Sequence, residues 1–124
     1  MVLIVARDGF LFARLSLDYA DHPKIADLSD AAFRAHITMI LYARKYETDG
    51  VIKNRVANRL ASQWDTDVLA ELQSNDENNP SLVRMMNGDY MLHDYSELQE
   101  TKAEIAARKR RNSANGAKGG RPKT

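Results

Sequence analysis

The chain has 124 residues, 44% of them hydrophobic and 28% charged, which suits one packed domain with a short appendage and excludes a two-lobed enzyme. It contains no cysteine, so disulfides, thiolate metal sites, iron–sulfur clusters and cysteine nucleophiles are excluded, and a reducing cytoplasm is compatible. The net charge of +1 hides a segregation: residues 101–124 carry eight Lys or Arg against the one acid Glu104, a balance of +7, and residues 1–100 carry ten basic and sixteen acidic residues, a balance of −6.

Val2 to Ala6 is an apolar run closed at once by Arg7 and Asp8. A secretory core needs about 7 to 15 apolar residues and a membrane helix about 20, so this run reads as a short strand, with no targeting or membrane segment. Phe10 to Ser16 is rich in large apolar residues but alternates poorly, and reads as a strand or a docking segment. A strong helix follows, with Ser29 or Asp30 as N-cap and Phe33, Ile37, Ile40, Leu41 and Arg44 at three- and four-residue steps, ending near Tyr46. Thr48-Asp-Gly50 is a turn in which glycine takes positive φ, and Val51-Ile52 leaves room for one short strand.

Asn54 to Gln63 reads as a second helix, with Val56, Ala57, Leu60, Ala61 and Trp64 inside and Lys53, Arg55, Asn58 and Arg59 outside. Asp65 or Thr66 caps a third, short helix whose Val68, Leu69 and Leu72 face inward, and which ends in a flexible polar loop, Ser74 to Pro80. Leu82 to Met86 and Tyr90 to His93 flank Asn87-Gly88, a dipeptide suited to a type I′ hairpin turn because both central residues there need positive φ. From Ser96 helix formers lead into Arg108-Lys-Arg-Arg111, and beyond Asn112 the composition predicts a mobile end.

The expected fold class is mainly α with a small β-hairpin. Three helices, a short strand and a terminal hairpin is the element order of a winged helix-turn-helix, the hairpin being the wing. The expected organisation is a winged-helix domain over residues 1–95, a C-terminal helix over 96–111 and a flexible basic tail over 112–124.

Candidate nucleic-acid contacts follow from the charge. Arg108, Lys109, Arg110 and Arg111, with Lys118, Arg121 and Lys123, can neutralise phosphates and release counterions, giving salt-dependent and mostly sequence-independent affinity; the plainer reading is a solubilising tail. Gly119-Gly-Arg-Pro-Lys123 reads either as a Gly-rich linker or as the core of a minor-groove hook whose usual arginine two positions before Arg121 is replaced by Gly119. Lys53, Asn54, Arg55, Asn58 and Arg59 form a basic, amide-bearing face where helix N-terminal amides could hold a phosphate, or else a solvated helix surface. Arg84 is a wing residue that either touches a groove or is simply exposed.

The third helix offers Asp67, Glu71, Gln73 and Asn75 without Lys or Arg, which argues against ordinary recognition-helix readout. Trp64, Tyr90, Tyr95, Phe33 and the five methionines read as core, not as a base-stacking platform. His22, His36 and His93 have no ligand-like spacing, so no metal is expected; His36 reads as a boundary residue and His93-Asp94 as a hydrogen-bonding pair. No nucleophile elbow, phosphate loop or paired catalytic carboxylates appear, and Asp76-Glu77 sits in a loop with no partner to tune it, so neither an enzyme nor a cofactor is expected.

Phe12-Ala-Arg-Leu-Ser16, Asp21-His-Pro-Lys-Ile-Ala-Asp-Leu-Ser-Asp-Ala-Ala-Phe-Arg34, Thr48-Asp-Gly-Val-Ile52 and Gly88-Asp-Tyr-Met-Leu-His-Asp-Tyr95, in this order and spacing, resemble the N-terminal winged-helix domain of actinobacterial phage and prophage replication initiators, or replisome organisers. The Lys118-Gly-Gly-Arg-Pro-Lys123 ending is similar to the linker that often follows that domain. The resemblance implies a phage-type DNA-binding protein in the cytoplasm of a bacterial host, acting in replication initiation or transcriptional regulation. The alternative from another class is a non-enzymatic adaptor whose acidic body docks on a host or replisome protein. A further reading makes the chain the front end of a longer initiator. A homodimer is compatible with paired half-sites, though no heptad seam demands one.

Overall fold

The computed structural model describes residues 12–64, 66–93 and 95–119. The strand expected over 2–6, the cap Asp65, the His93 partner Asp94, and the tail cations Arg121 and Lys123 with their Gly-Arg-Pro context lie outside the described residues. The elements run α1 Pro23–Ala26, α2 Asp30–Tyr46, β1 Val51–Ile52, α3 Asn54–Ala61, α4 Val68–Ser74, β2 Leu82–Arg84, β3 Tyr90–Leu92, α5 Tyr95–Leu98 and α6 Lys102–Gly119. The protein is mainly helical with a small antiparallel sheet, as its composition and periodicity lead one to expect.

Helix α2 is the central element. Ser29 caps it, its Oγ accepting the Ala32 N–H at 3.1 Å, and Ala32, Ala35, Met39 and Ala43 form a stripe with no exposure. The helix stops where Glu47 enters the left-handed region, φ 53°, and the Thr48 N–H returns to the Ala43 carbonyl at 3.0 Å. Asp49 and Gly50 keep positive φ, 56° and 91°, and turn the chain into β1. The sheet order is β1-β3-β2, with Ile52 opposite Tyr90 and Leu82 opposite Leu92. Ile52, Leu82, Val68 and Leu72 are fully buried beneath it with Met39.

The β2–β3 turn differs from the expected type I′. Asn87 is not among the positive-φ residues; Gly88 is, at 93°, the Gly88 N–H returns to the Met85 carbonyl at 3.0 Å, and the Met85 N–H reaches the Asp89 carbonyl at 2.7 Å. This is a three-residue loop, a type I turn closed by a left-handed glycine. Packing selects it: a two-residue loop would shift the register by one and set Leu82 and Leu92 on opposite faces, whereas the observed pairing buries both. Met86 stands fully exposed at the tip, contrary to the assignment of all methionines to the core.

Other expectations change for local reasons. Asp67, not Asp65 or Thr66, caps α4, its Oδ1 accepting the Ala70 N–H at 3.0 Å. The loop after α4 is pinned: Asp76 accepts the N–H groups of Asn78 and Asn79 at 3.0 and 2.8 Å, and those bonds hold its carboxyl below the usual range. Residues 12–16 form no strand among the described residues. They dock through Gln99, whose Oε1 accepts the Arg14 N–H at 2.8 Å while its amide donates to the Arg14 carbonyl. The helix expected over 96–111 is interrupted from Gln99 to Thr101, where capping bonds between Thr101 and Glu104 start a new helix that continues past Asn112 to Gly119.

His36 is 8% exposed and not a boundary residue; its Nδ1 shares a 2.5 Å hydrogen bond with the Tyr19 hydroxyl and the rings stack. Burial, and secondarily the Lys24 charge, push the imidazole pKa down to about 4, and burial lifts the Tyr19 phenol to about 12. The fold therefore holds neutral His36. Below pH ~6.5 the unfolded chain takes up a proton that the native state refuses. Stability is expected to fall as pH drops from there to about 4, where the native imidazole also titrates. The total loss is about 3 kcal/mol, read from urea midpoints, and His36→Gln removes this slope. The depressed carboxyls of Asp76, Glu100 and Glu104 act in the other window, their contribution present above the ordinary carboxylate pKa and lost at more acid pH. Gly50→Ala is expected to cost about 2–3 kcal/mol, because an added Cβ would meet the Tyr95 Cβ at 2.7 Å in a left-handed backbone. A thermal midpoint unchanged by that substitution would contradict the close approach.

Candidate nucleic-acid interface

The apolar residues Val56 and Ala57 seat α3 on the core and leave Lys53, Asn54, Arg55, Asn58 and Arg59 exposed, as their spacing predicts. Arg55 and Arg59, four residues apart, share one face. Asn58 is tied along the helix, its amide donating to the Asn54 carbonyl at 2.8 Å and to Asn54 Oδ1 at 3.0 Å. The helix start is not open for a phosphate. Lys53 makes no side-chain cap, and Asp89, from the hairpin, accepts the Asn54 N–H at 2.9 Å. A carboxylate already stands where the anion was expected.

That bond joins the hairpin to α3, so Lys53, Asn54 and Arg84 lie at one end of the molecule. Arg84 is opposite Tyr90 and folds over it, the guanidinium carbon 4.9 Å from the ring centroid and Nη1 donating to the phenol at 2.8 Å. The residue is exposed yet held in place, with Nη2 close to Gly88.

Helix α4 has spent its polar groups. Asp67 is the cap; Glu71 accepts the Ser29 N–H and hydroxyl, both at 2.7 Å; Gln73 donates to the Leu69 carbonyl at 3.0 Å. Asn75 donates to the Lys24 carbonyl at 3.1 Å and to the Ser81 hydroxyl at 2.8 Å, and accepts the Ser81 N–H at 2.9 Å. Each of the four thus has a bond within the protein, Gln73 only through its amide N–H to its own helix.

Helix α6 is built from a signal that the composition-based reading passed over, the capping box Thr101-Lys-Ala-Glu104. Thr101 Oγ1 accepts the Glu104 N–H at 3.2 Å and Glu104 accepts the Thr101 N–H at 2.9 Å. Asp49 takes the Lys102 N–H at 2.7 Å, and Ile105 is buried. Arg108 departs from its expected role as a free cation. Its Nε and Nη2 grip the Glu100 carboxylate at 2.9 and 3.1 Å, and Arg44 of α2, 8% exposed, reaches the same carboxylate at 3.2 Å. The Arg108 hydrogen bond, with both guanidinium charges behind it, holds Glu100 below the usual carboxylate range. Lys109, Arg110 and Arg111 are exposed beyond this clamp, spread around the helix at about 100° per residue. Lys118 falls in the last turn.

Sequence reasoning missed Asp89, Glu100 and Gln99, because each acts on a residue distant in the chain. Asp89→Ala is expected to destabilise the fold by about 1 kcal/mol through loss of the α3 cap, measured by urea denaturation. An unchanged midpoint would show that α3 does not need it. Among the described residues no three His, Cys, Asp or Glu are grouped to hold a metal, and no helix is long and apolar enough to cross a membrane. No protein-family model, curated protein or solved structure matches the chain.

Proposed function

We propose that the protein is a non-enzymatic winged-helix DNA-binding protein of the phage replication-initiator kind, acting in replication initiation or transcriptional regulation in the bacterial cytoplasm. The order α2-β1-α3-α4-β2-β3 with strand order β1-β3-β2 supports the winged-helix reading, β2–β3 being the wing. The observation that carries the DNA reading is the display of Lys109, Arg110 and Arg111, all exposed, on a helix that leaves the acidic body. Phosphates are the chemistry such a helix meets best. Lys53, Arg55 and Arg59 add a second basic surface on α3, with Arg84 beside it on the hairpin.

Contacts of this type are sequence-independent and salt-sensitive, and α4 contributes little to base readout in this reading. Fluorescence anisotropy on a duplex oligonucleotide at several salt concentrations tests it. Neutralising Lys109, Arg110 and Arg111 with Gln is expected to weaken binding and to reduce the slope of log K against log salt by about 3. Unchanged affinity and slope overturn the proposal. A chain that ignores duplex and single strands yet retains a replisome or host protein through nuclease and moderate salt is the adaptor.

A further inference from the structure

Helix α6 leaves the body at a break in the chain, where a rod attached by one flexible point would swivel. Here the junction is held residue by residue. Gln99 grips both backbone groups of Arg14, Glu100 binds Arg44, Thr101 closes the capping box, and the Lys102 N–H is bound by Asp49. Arg108 then ties the helix back to Glu100, about 9 Å along the axis from Lys102. Two separated points of attachment define a direction, whereas one does not. The bond at the second point is a two-pronged guanidinium–carboxylate fork, the geometry that restricts orientation most. Among the described residues, hydrogen bonds between α6 and the rest of the chain stop at Arg108, and residues 109–116 are exposed.

We propose that Glu100, held between Arg44 and Arg108, is a positioning residue that sets the direction in which α6 leaves the body. Lys109, Arg110 and Arg111 then meet a nucleic acid as fixed charges and not as charges on a tether. Fixed charges lose less conformational freedom on binding, so the clamp raises affinity without touching the ligand. That consequence rests on the DNA reading; the direction of α6 does not.

The absence of cysteine makes the direction measurable. Ala70→Cys on α4 and Ser113→Cys on α6, both at exposed positions, accept a pair of spin labels in the full-length chain. Double electron–electron resonance is expected to give one narrow distance distribution. Glu100→Gln and Arg108→Gln are each expected to broaden it, the latter leaving the half-buried Arg44–Glu100 pair intact should the former fail to fold. Arg110→Gln, which removes the same charge outside the clamp, leaves it narrow. A distribution already broad before substitution, or still narrow in Arg108→Gln, overturns the inference.

On a duplex oligonucleotide of about 20 base pairs, Arg108→Gln is expected to weaken binding about tenfold and Arg110→Gln about threefold. Equal losses overturn the functional half. Failure of the unaltered chain to bind any oligonucleotide would sink the DNA reading, and the distance distributions would still decide the clamp.

Discussion

The close seating of α2 is the constraint on which the remaining elements depend. Ala32, Ala35 and Ala43 present almost no side chain and are wholly buried, so neighbouring elements can approach the α2 backbone, and Met39 and Ile40 fill the space between. Helices α3 and α4 and strand β1 all pack against this face. Their positions in turn place the hairpin, because β3 pairs with β1 and the hairpin's Asp89 caps α3. A longer side chain on that stripe would displace each of these together.

Six acidic residues of the body, and Glu104 beyond it, are tied into the fold. Asp49, Asp67, Asp76, Asp89 and Glu104 accept backbone N–H groups at helix starts or in a turn, and Glu71 joins α4 to the start of α2. Carboxylates at helix N-termini stand against the positive end of the helix dipole, so part of their field is cancelled locally. Lys109, Arg110 and Arg111 stand exposed on α6. At these positions the formal charge overstates the repulsion an approaching polyanion would feel, and part of the segregation seen in the chain becomes a division of labour: these acids hold the fold, whereas the cations of α6 beyond Arg108 face outward. Arg44 and Arg108 instead hold the clamp on Glu100, and Arg84 is folded over Tyr90.

Much of the architecture is legible because its causes are local. Ser29 before a 3.6-residue apolar pattern, Thr48-Asp-Gly50 before Val51-Ile52, and Asn87-Gly88 between apolar runs each announce their element within a few residues. The exposed faces of α3 and α6 are legible for the same reason, since polar residues at helical spacing opposite buried ones must face outward. Turn type is a different matter. Asn87-Gly88 suits two hairpin loops, and only the joint burial of Leu82 and Leu92 selects between them.

By itself the sequence determined the longer helices, the hairpin and their order, the absence of thiol chemistry and the gathering of cations at one end, all consequences of composition and short-range periodicity. Tertiary structure alone decided that His36 is buried against Tyr19, that Asp89 occupies the start of α3, and that Arg108 serves as a tie and not as a free charge. The physical reason is common to all three. A side chain's partner is set by proximity in space, and Tyr19 to His36, Asn54 to Asp89 and Arg44 to Glu100 are separated by 17, 35 and 56 residues along the chain.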